Sequence, residues 1–559
     1  MNYTLPACCR PLPALILLLF CLACASQPEL AEDGVPPDPD RVSHGEQLML
    51  AEMARSRGMA REAAEHYGKA TRLSQSPALA GRATAWSMDI GAYDKALDSA
   101  RRWVELDPDS TQAWWYLGMA ELRAGEVARS AEAFATWIEE GDARDWAVLG
   151  AELRREERLW RAWEVARELA ETDDGPGAHL VAARLAQGVS RSRDAEFHAH
   201  RAGQDPEHRA SATWLALRAR VGRGDDTALM DAWAYLFTTS GTQPLLEMAT
   251  LLWEADRLAD AVLLLEGRRH GGAGDGSIEY ALGLIAMEMR EFERSIELLE
   301  RLARRGFRFQ ETAFYLGEVH AEQGEWNEAL RWYRRVSGGD DLPEARAGMV
   351  AMYHELDRLE DAEDLLSRMR RADPGTYRKT VGRIAMRHGE SGRVDAAVEL
   401  CDALRKEFSR VAEVLYRCGL ALADSEHAEA AIGYFRQARE AWPEDPRLMN
   451  ALAYVLADEN RELREARRLA RQAMDWMPDS GAIMDTRGWV AYRMGHERRA
   501  LRWIEQAWQI HRHPVVAAHL GEVLWVRGEH EQALEVWEYA RERWPDDKVL
   551  EETWERFTQ

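Results

Sequence analysis

The sequence predicts an all-α solenoid of about 13–15 helix-turn-helix repeats, closed by a C-terminal capping helix. The first observation behind this prediction is a small residue that recurs about every 34 residues, a step typical of helical repeat arrays. The second is an alanine that follows many of these small residues by about twelve positions. The third is the placement of glycine and proline. Glycine often lies between the small residue and the alanine, and proline, which stops a helix, ends many units.

The small residues mark the middle of each first helix, because two antiparallel helices need little side-chain volume where their backbones approach. They lie at Ala51, Thr84, Gly118, Gly150, Ala183, Ala216, Ala249, Gly283, Gly317, Val350, Ala385, Gly419, Ala453, Gly488 and Gly521. The alanines of the second helices lie at Ala63, Ala96, Ala162, Ala261, Ala329, Ala362, Ala431, Ala500 and Ala533. A bulky residue one helical turn later is expected to fill the gap to the next repeat, as at Tyr67, Phe134, Tyr333, Phe435 and Trp537.

The repeat pattern extends over residues 42–545, but its strength varies along the chain. Between Gly150 and Ala249 the turn glycine is often absent, so we expect the repeats there to be irregular or fewer. Residues 546–559 predict the capping helix, with Asp546 or Asp547 as its N-cap and a charged outer face.

The first 25 residues have the composition of a secretory signal. The apolar run over residues 14–23 follows a single basic residue, Arg10. This run is shorter than the roughly 20 residues that a membrane-spanning helix needs. We therefore expect export from the cytoplasm.

Two processing routes are open for this signal. In the first, residues 21–24 (CLAC) resemble a bacterial lipobox, so that residues 1–23 form the signal peptide and Cys24 carries the lipid. The residues after Cys24 lack the aspartate that retains enterobacterial lipoproteins at the inner membrane, which implies an anchor in the outer membrane on its periplasmic side. In the second, cleavage after Ala25 gives a soluble periplasmic protein. With the signal peptide over residues 1–23, residues 24–41 form an acidic, Pro-rich tether.

Composition narrows the classes of partner. A net charge of −24 disfavours nucleic acid, because phosphate binding needs a net basic face. Tryptophan occurs 22 times, more than the packing of helices needs, and tryptophan is enriched at protein-binding hot spots. The two cysteines of the repeat region, Cys401 and Cys418, fall on adjacent helices. They form either a disulfide in an oxidising compartment or two small apolar core residues.

Patterns of catalytic or metal-binding residues are incomplete. His354 would begin a zinc-protease helix, but Arg358 stands where the second histidine is required. The glycine-rich run over 271–276 (GGAGDG) follows no predicted strand, so we interpret it as a connection between repeats. His198 and His200 lie on different sides of a helix and are both expected to face solvent. The sequence therefore predicts no enzyme, no cofactor and no metal site.

The small residue, the second-helix alanine, the bulky residue and the final proline together resemble the tetratricopeptide repeat over about 500 residues. This resemblance implies a right-handed superhelix whose concave wall is made by the first helix of each repeat. It also implies protein or peptide partners, because aromatic residues interleaved with Asn, Asp, Arg and His suit an extended peptide.

The predicted partner-binding groove consists of the residues that flank the small residues on the inner side. In the strongest repeats these are Tyr416, Asn450, Tyr454, Asp485, Trp489, Tyr492, Arg493, His519, Glu522 and Trp525. Upstream, Trp115, Phe314 and Tyr315 take similar places. An alternative interpretation is that several of these aromatic side chains pack between helices instead.

The carboxyl-terminal repeats carry a narrower resemblance. Residues 450–458 (NALAYVLAD), 485–495 (DTRGWVAYRMG) and 519–528 (HLGEVLWVRG) are similar to a group of proteobacterial repeat lipoproteins. Within that group, an outer-membrane lipoprotein binds the periplasmic carboxyl-terminal processing protease and presents peptidoglycan hydrolases for degradation. The resemblance implies a non-enzymatic adaptor for such a protease and its cell-wall hydrolase substrates. The alternative is an assembly scaffold for outer-membrane proteins or exported polysaccharide, without a protease link.

Overall fold

The chain folds into helices only, over the part that the structure describes. The computed structural model describes residues 43–140, 145–269, 276–407, 411–423 and 427–558, which form 31 helices and no strand. Cys24, the signal and the acidic tether lie outside the described residues, as does nearly all of the glycine-rich run over 271–276. The predicted all-α class is confirmed.

The helices follow one another as fifteen pairs within the described ranges. The first pairs are α1 (His44–Ser56) with α2 (Ala60–Leu73), α3 (Pro77–Asp89) with α4 (Tyr93–Leu106), α5 (Thr111–Ala124) with α6 (Val127–Glu139), α7 (Asp145–Leu153) with α8 (Leu159–Thr172), and α9 (Pro176–Gly188) with α10 (Ser192–Ala202). The middle pairs are α11 (Arg209–Val221) with α12 (Asp226–Leu236), α13 (Thr242–Glu254) with α14 (Leu258–Arg269), α15 (Gly276–Glu288) with α16 (Phe292–Arg304), α17 (Phe309–Glu322) with α18 (Trp326–Tyr333), and α19 (Leu342–Glu355) with α20 (Leu359–Ala372). The last pairs are α21 (Pro374–Glu390) with α22 (Val394–Glu407), α23 (Ala412–Leu422) with α24 (Ala428–Ala441), α25 (Pro446–Asp458) with α26 (Leu463–Trp476), α27 (Gly481–Arg493) with α28 (Glu497–Ile510), and α29 (Pro514–Val526) with α30 (His530–Arg543), followed by α31 (Lys548–Thr558).

Every predicted small residue lies in the first helix of a pair, and every predicted alanine lies in a second helix. The helices approach closely at these positions. A Cβ atom added at Gly521 would lie 2.1 Å from Nε1 of Trp537, and one added at Gly419 would lie 2.4 Å from Cε1 of Phe435. The small residues therefore set the spacing of the pairs, as the sequence predicts.

Most turns between the two helices of a repeat contain a residue in the left-handed backbone region. Glycine supplies it at Gly125, with φ of 93°, and at Gly528, with φ of 85°. In the stretch where the turn glycine is missing, Ser190 and Asp256 adopt the same region, with φ of 51° and 57°. The helix pairs thus continue through residues 150–250, although α7 has nine residues and α10 and α12 have eleven each.

The first helices form the inner wall of the solenoid. They contact the first helices of neighbouring repeats at most steps along the chain, whereas second helices contact one another at few steps. Helices that approach more closely lie on the inside of a curved stack. The solenoid therefore curves toward its first helices, as a superhelix requires.

Successive turns of this superhelix touch each other at a contact that we call the inter-turn seam, formed by residues 190–192 against residues 475–479. The backbone N–H of Asp479 donates to the carbonyl of Ser190 at 2.9 Å, and Oδ2 of Asp479 accepts from the N–H of Ser192 at 2.8 Å. Arg191 donates to the carbonyls of Asp475 and Trp476 at 3.1 and 3.0 Å. These partners lie 284 to 289 residues apart in the sequence.

Further contacts between turns flank the inter-turn seam. The rings of Trp160 and Trp442 lie 6.4 Å apart, and the guanidinium of Arg158 stacks on Trp442 at 5.2 Å. Nearer the carboxyl end, Nη2 of Arg543 donates to Oε1 of Glu288 at 3.1 Å. Polar and aromatic contacts thus hold successive turns of the superhelix against each other.

The two cysteines of the repeat region form a disulfide that joins α22 to α23. Cys401 and Cys418 are both fully buried, with Cα atoms 5.6 Å apart. That separation lies within the usual range for a disulfide. The sequence left open whether these cysteines form a disulfide or are two separate core residues, and in the structure they form the disulfide.

The final helix, α31, packs on α29 and α30, as a capping helix should. Oδ1 of Asp547 accepts from the N–H of Leu550 at 2.9 Å, which places Asp547 in the N-cap role. Across the described ranges, no helix is both long enough and apolar enough to cross a membrane.

Candidate functional site

A cavity of about 470 Å³ opens on the inner wall of the carboxyl-terminal repeats, between α23, α25, α27 and the segment that leads into α29. Four residues of the predicted groove line it together: Tyr416, Asn450, Tyr454 and Asp485. They come from three consecutive first helices, so the repeat stacks them at one level of the wall. We call this cavity the groove pocket.

The walls of the groove pocket are mainly apolar. Leu420, Val455, Ile483 and Val516 contribute aliphatic surface, and the ring of Tyr416 contributes an aromatic face. Burial raises the pKa of Tyr416 to about 12, so its hydroxyl stays protonated at neutral pH and can donate a hydrogen bond. Such a surface suits an apolar side chain of a partner.

Arg447 supplies the fixed positive charge of the groove pocket. Its guanidinium lies 5.1 Å from the ring centre of Tyr416, and it pairs with Glu413 at 3.1 Å and Asp445 at 2.9 Å. Burial opposes the charge of Arg447, but the carboxylates of Asp445 and Glu413 outweigh it and raise the pKa. Arg447 therefore positions Tyr416 and leaves no net positive charge for a ligand.

Asn450 offers an unused hydrogen-bond acceptor in the groove pocket. Its Oδ1 atom is buried, and within the described residues it has no hydrogen-bond partner. A buried polar atom without a partner costs free energy, commonly about 1–3 kcal/mol. A partner that brings a backbone N–H to this atom would recover that cost.

Next to the groove pocket, three predicted residues form a stack of rings, which Arg493 and Asp485 contact. The imidazole of His519 lies face to face with Trp489 at 3.9 Å, and Nδ1 of His519 lies 3.0 Å from both carboxylate oxygens of Asp485. Tyr492 stacks on Trp489 at 5.2 Å, and the guanidinium of Arg493 lies over Trp489 at 5.6 Å. Trp489 and His519 are buried, so these two side chains hold the helices together rather than facing solvent.

Glu522 and Trp525 meet the capping helix. Glu522 forms an ion pair with Arg556 of α31, and Trp525 packs on Trp537 at 5.8 Å and on Phe557 of α31 at 6.4 Å. Burial and the carboxylate of Glu522 raise the pKa of the neighbouring Tyr492. The helix α31 thus occupies the place on α29 that a further repeat would take.

The three upstream residues do not reach the groove pocket. Trp115 packs on Trp137 at 4.8 Å, Phe314 is buried against Tyr315 at 5.2 Å, and Tyr315 contacts Tyr280 at 6.2 Å. The first contact joins the two helices of one repeat, the second lies within α17, and the third joins α17 to α15 of the preceding repeat. For these residues and for Trp489, packing between helices is the observed arrangement.

Sequence reasoning missed two kinds of residue in the groove pocket. Arg447 lies three and seven residues before Asn450 and Tyr454, so helical spacing alone places all three on one face of α25. His511 and His513 come from the connection between α28 and α29, which a pattern of helix positions does not cover.

The site lacks the arrangement of a metal centre. Among the residues that the structure describes, no three or more of His, Cys, Asp and Glu come together in a way that could hold a metal ion. The groove pocket instead combines apolar walls, an open acceptor and a neutral phenol, which are the elements of peptide recognition.

The family model of the tetratricopeptide repeat matches residues 87–145, 280–343 and 383–446. These three stretches are similar to tetratricopeptide repeats. The third matched stretch includes α23 and Tyr416 and ends where α25 begins. Repeat arrays of this kind form extended concave surfaces.

The chain is similar to the TPR repeat-containing protein PA4667 of Pseudomonas aeruginosa, with 30% identity over 212 residues. The match spans 37% of this chain and 35% of that relative, about a third of its length. Among solved structures, a tetratricopeptide repeat protein from Parabacteroides merdae matches 51% of this chain and 99% of its own, with 16% identity and a TM-score of 0.33. The yeast Tom70 matches 91% of this chain and 98% of its own, with 13% identity and a TM-score of 0.35.

Proposed function

We propose that this chain is a non-enzymatic adaptor of the periplasm, which binds a carboxyl-terminal processing protease and brings cell-wall hydrolases to it. The observation that carries the proposal is the groove pocket, with the unpaired acceptor of Asn450 beside the ring of Tyr416. An extended segment of a partner fits there, because its backbone N–H satisfies Asn450 and its side chain enters the apolar pocket.

The protease link rests on the resemblance of residues 450–458, 485–495 and 519–528 to the proteobacterial repeat lipoproteins. Two of these stretches contribute Asn450, Tyr454 and Asp485 to the groove pocket. The proposal thus assigns the resembling residues to the surface that would meet the partner. Holding enzyme and substrate on one scaffold raises their effective concentration, to the millimolar range for short connections.

The disulfide supports an oxidising compartment such as the periplasm. Disulfides persist outside the cytosol, and the bond between Cys401 and Cys418 lies in the core of the repeats. We further propose that the chain is lipidated at Cys24 and anchored in the outer membrane.

Crosslinking in intact cells tests the adaptor role. We expect mass spectrometry to recover a carboxyl-terminal processing protease and peptidoglycan hydrolases with the wild-type chain. The variant Asn450→Ala should lose at least one of these partners, because it removes the open acceptor. Asn327→Ala is the matched control, since Asn327 is exposed on the second helix α18 and lies away from the groove pocket. Recovery of outer-membrane assembly proteins or polysaccharide export proteins alone would contradict the protease link.

Cell fractionation tests the anchor separately. The variant Cys24→Ser cannot be lipidated and should appear in the soluble periplasmic fraction, whereas the wild type stays with the outer membrane. Equal membrane association of the two would contradict lipidation and leave the adaptor role to the crosslinking result.

A further inference from the structure

A cleft of about 630 Å³ on the outer side of the carboxyl-terminal repeats concentrates positive charge in a chain of net charge −24. It lies between α26, α27 and α28, on the other side of these helices from the groove pocket. We call it the arginine cleft. Its rims carry Arg464, Arg467, Arg468 and Arg471 on α26 and Arg499 and Arg502 on α28.

The arginines of α26 share one face of that helix. Positions 464, 467, 468 and 471 are separated by three or four residues, the spacing that brings side chains together on a helix. Like charges at this spacing repel each other and destabilise the helix. The arrangement therefore costs stability unless an anion lies among the guanidinium groups.

Carboxylates of the chain leave most of this charge unbalanced. Arg468 pairs with Glu465 at 3.3 Å, but Glu465 also pairs with Arg436 at the same distance. Within the part of the chain that the structure describes, Arg464, Arg467, Arg471, Arg499 and Arg502 form no ion pair, and all five are exposed. Five open guanidinium groups thus face one cleft.

The floor of the arginine cleft adds a further cation on an aromatic ring. The guanidinium of Arg487 lies 4.2 Å from the ring centre of Trp503, and Met494 lies beside it. Burial lowers the pKa of Arg487, Asp475 opposes the shift, and Arg471 and Arg499 add to it. An anion placed among these groups would relieve the repulsion of Arg487 by Arg471 and Arg499.

We propose that the arginine cleft is a binding site for a compact phosphate-bearing ligand. Planar guanidinium groups bind phosphate oxygens in pairs, and a phosphate carries more charge in a small volume than a carboxylate. The lining contains no Asn, Gln, Ser or Thr side chain to satisfy the backbone of an acidic peptide. The net negative charge of the chain also repels a long polyanion beyond the cleft.

The phosphate has two possible sources, a soluble molecule or the headgroup of an anionic lipid. Both present the same oxygens to the arginines, so the test uses one probe for each source. Sodium pyrophosphate represents the soluble ligand. Vesicles of phosphatidylglycerol represent the headgroup, and vesicles of phosphatidylcholine, which have no net charge, are their control.

The test compares the full chain with two variants that change the charge equally. The cleft variant is R467Q/R499Q/R502Q. The control variant is R331Q/R368Q/R405Q, because these three arginines lie exposed on the second helices α18, α20 and α22. Calorimetry measures the affinity for pyrophosphate, and sedimentation measures binding to each kind of vesicle, all at a fixed chloride concentration.

We expect the wild type and the control variant to bind pyrophosphate or phosphatidylglycerol vesicles, and the cleft variant to bind at least about tenfold more weakly. Binding of pyrophosphate alone assigns a soluble source, and vesicle binding that pyrophosphate displaces assigns a headgroup. Equal binding by the two variants, binding of neither probe, or selective binding of an oligoglutamate peptide would overturn the proposal. If the triple variant does not fold, Arg467→Gln alone replaces it, since Arg467 is exposed.

Discussion

The aromatic side chain of a second helix rests on a glycine of the first helix in several repeats. The ring of Tyr333 is fully buried between Gly317 of its own repeat and Gly348 of the next. A Cβ atom added at Gly317 would lie 2.5 Å from Cδ1 of Tyr333, and one at Gly348 would lie 2.7 Å from Cε2. Tyr333 thus fills the gap between repeats, as its position in the sequence predicts.

This contact gives a prediction for Gly317→Ala. The added methyl group displaces a buried ring in a packed core, so we expect the free energy of unfolding to fall by about 1–3 kcal/mol. Gly433→Ala is the control, because Gly433 lies on the exposed side of α24 and an added Cβ meets nothing within 4 Å. There the better helix propensity of alanine should stabilise by up to about 1 kcal/mol. Urea unfolding followed by circular dichroism measures both, and equal effects would contradict the packing argument.

A buried histidine departs from the sequence prediction. His198 was expected to face solvent, but it is 6% exposed and its Nδ1 lies 2.9 Å from Nδ1 of His179. The expectation was wrong because the side of α10 that carries His198 packs on α9. For His200, whose side chain is 72% exposed, the expectation is confirmed.

The burial of His198 makes stability depend on pH. Burial lowers the pKa of His198 from 6.5 to about 4, so between these values the unfolded chain binds a proton that the folded chain does not. The stability that the folded chain gains by burying His198 in its neutral form is fully present above pH 6.5, and it is lost as the pH falls toward 4. We expect His198→Gln to reduce the loss of stability between pH 7 and pH 4 by on the order of 1–3 kcal/mol. Melting temperatures across this range test it, and His200→Gln should leave the slope as in the wild type.

At the scale of the helices, the disulfide is a fixed joint between two repeats. It connects the second helix α22 to the first helix α23 across 17 residues. The neighbouring core residues Leu404, Ala397 and Leu415 are buried around it. The bond therefore ties two elements that the helix packing already brings together.

Removing this joint should lower stability without changing the fold. For a loop of this length we expect Cys401→Ala with Cys418→Ala to reduce the free energy of unfolding by about 2–4 kcal/mol. Urea unfolding at equilibrium with and without reductant measures the effect. The reductant should destabilise the wild type by a similar amount and leave the double variant unchanged. A reductant effect of equal size on both would contradict the assignment.

At the scale of the whole molecule, the inter-turn seam joins two successive turns of the superhelix. Each repeat contacts only its neighbours in an open solenoid, so its pitch is free to vary. Here residues 190–192 bond to residues 475–479, and Arg543 bonds to Glu288 one turn away. These contacts join successive turns of the superhelix at several points along its length.

Breaking the inter-turn seam should let the superhelix extend. The variant Arg191→Ala with Asp479→Ala removes the side-chain hydrogen bonds to Asp475, Trp476 and Ser192. We expect small-angle X-ray scattering to show a larger radius of gyration while circular dichroism shows the same helix content. As a control, Asp364→Ala with Arg368→Ala removes an ion pair within α20 alone and should leave the radius unchanged. An unchanged radius in the seam variant would contradict a role of these side-chain hydrogen bonds in setting the pitch.

Much of the candidate site followed from the repeat, and the rest depended on contacts that the repeat does not encode. The spacing placed Tyr416, Asn450, Tyr454 and Asp485 on one wall, and the structure brings all four into the groove pocket. The spacing alone does not show that Trp489 packs against His519 in the core. A ring that faces the core and a ring that faces the groove recur with the same period, so the sequence pattern does not distinguish them.

By itself the sequence determined the order of the helix pairs and which helix of each pair carries the small residue, and it predicted the wall on which partners should bind. Those features depend on residues about twelve positions apart, such as Gly521 and Ala533. Because the same spacing recurs in many repeats, each repeat supports the assignment of the others. Only the tertiary structure decided the disulfide, the inter-turn seam and the arginine cleft. Each of these depends on how far successive helices rotate, a small angle that accumulates over many repeats and leaves no periodic mark in the sequence.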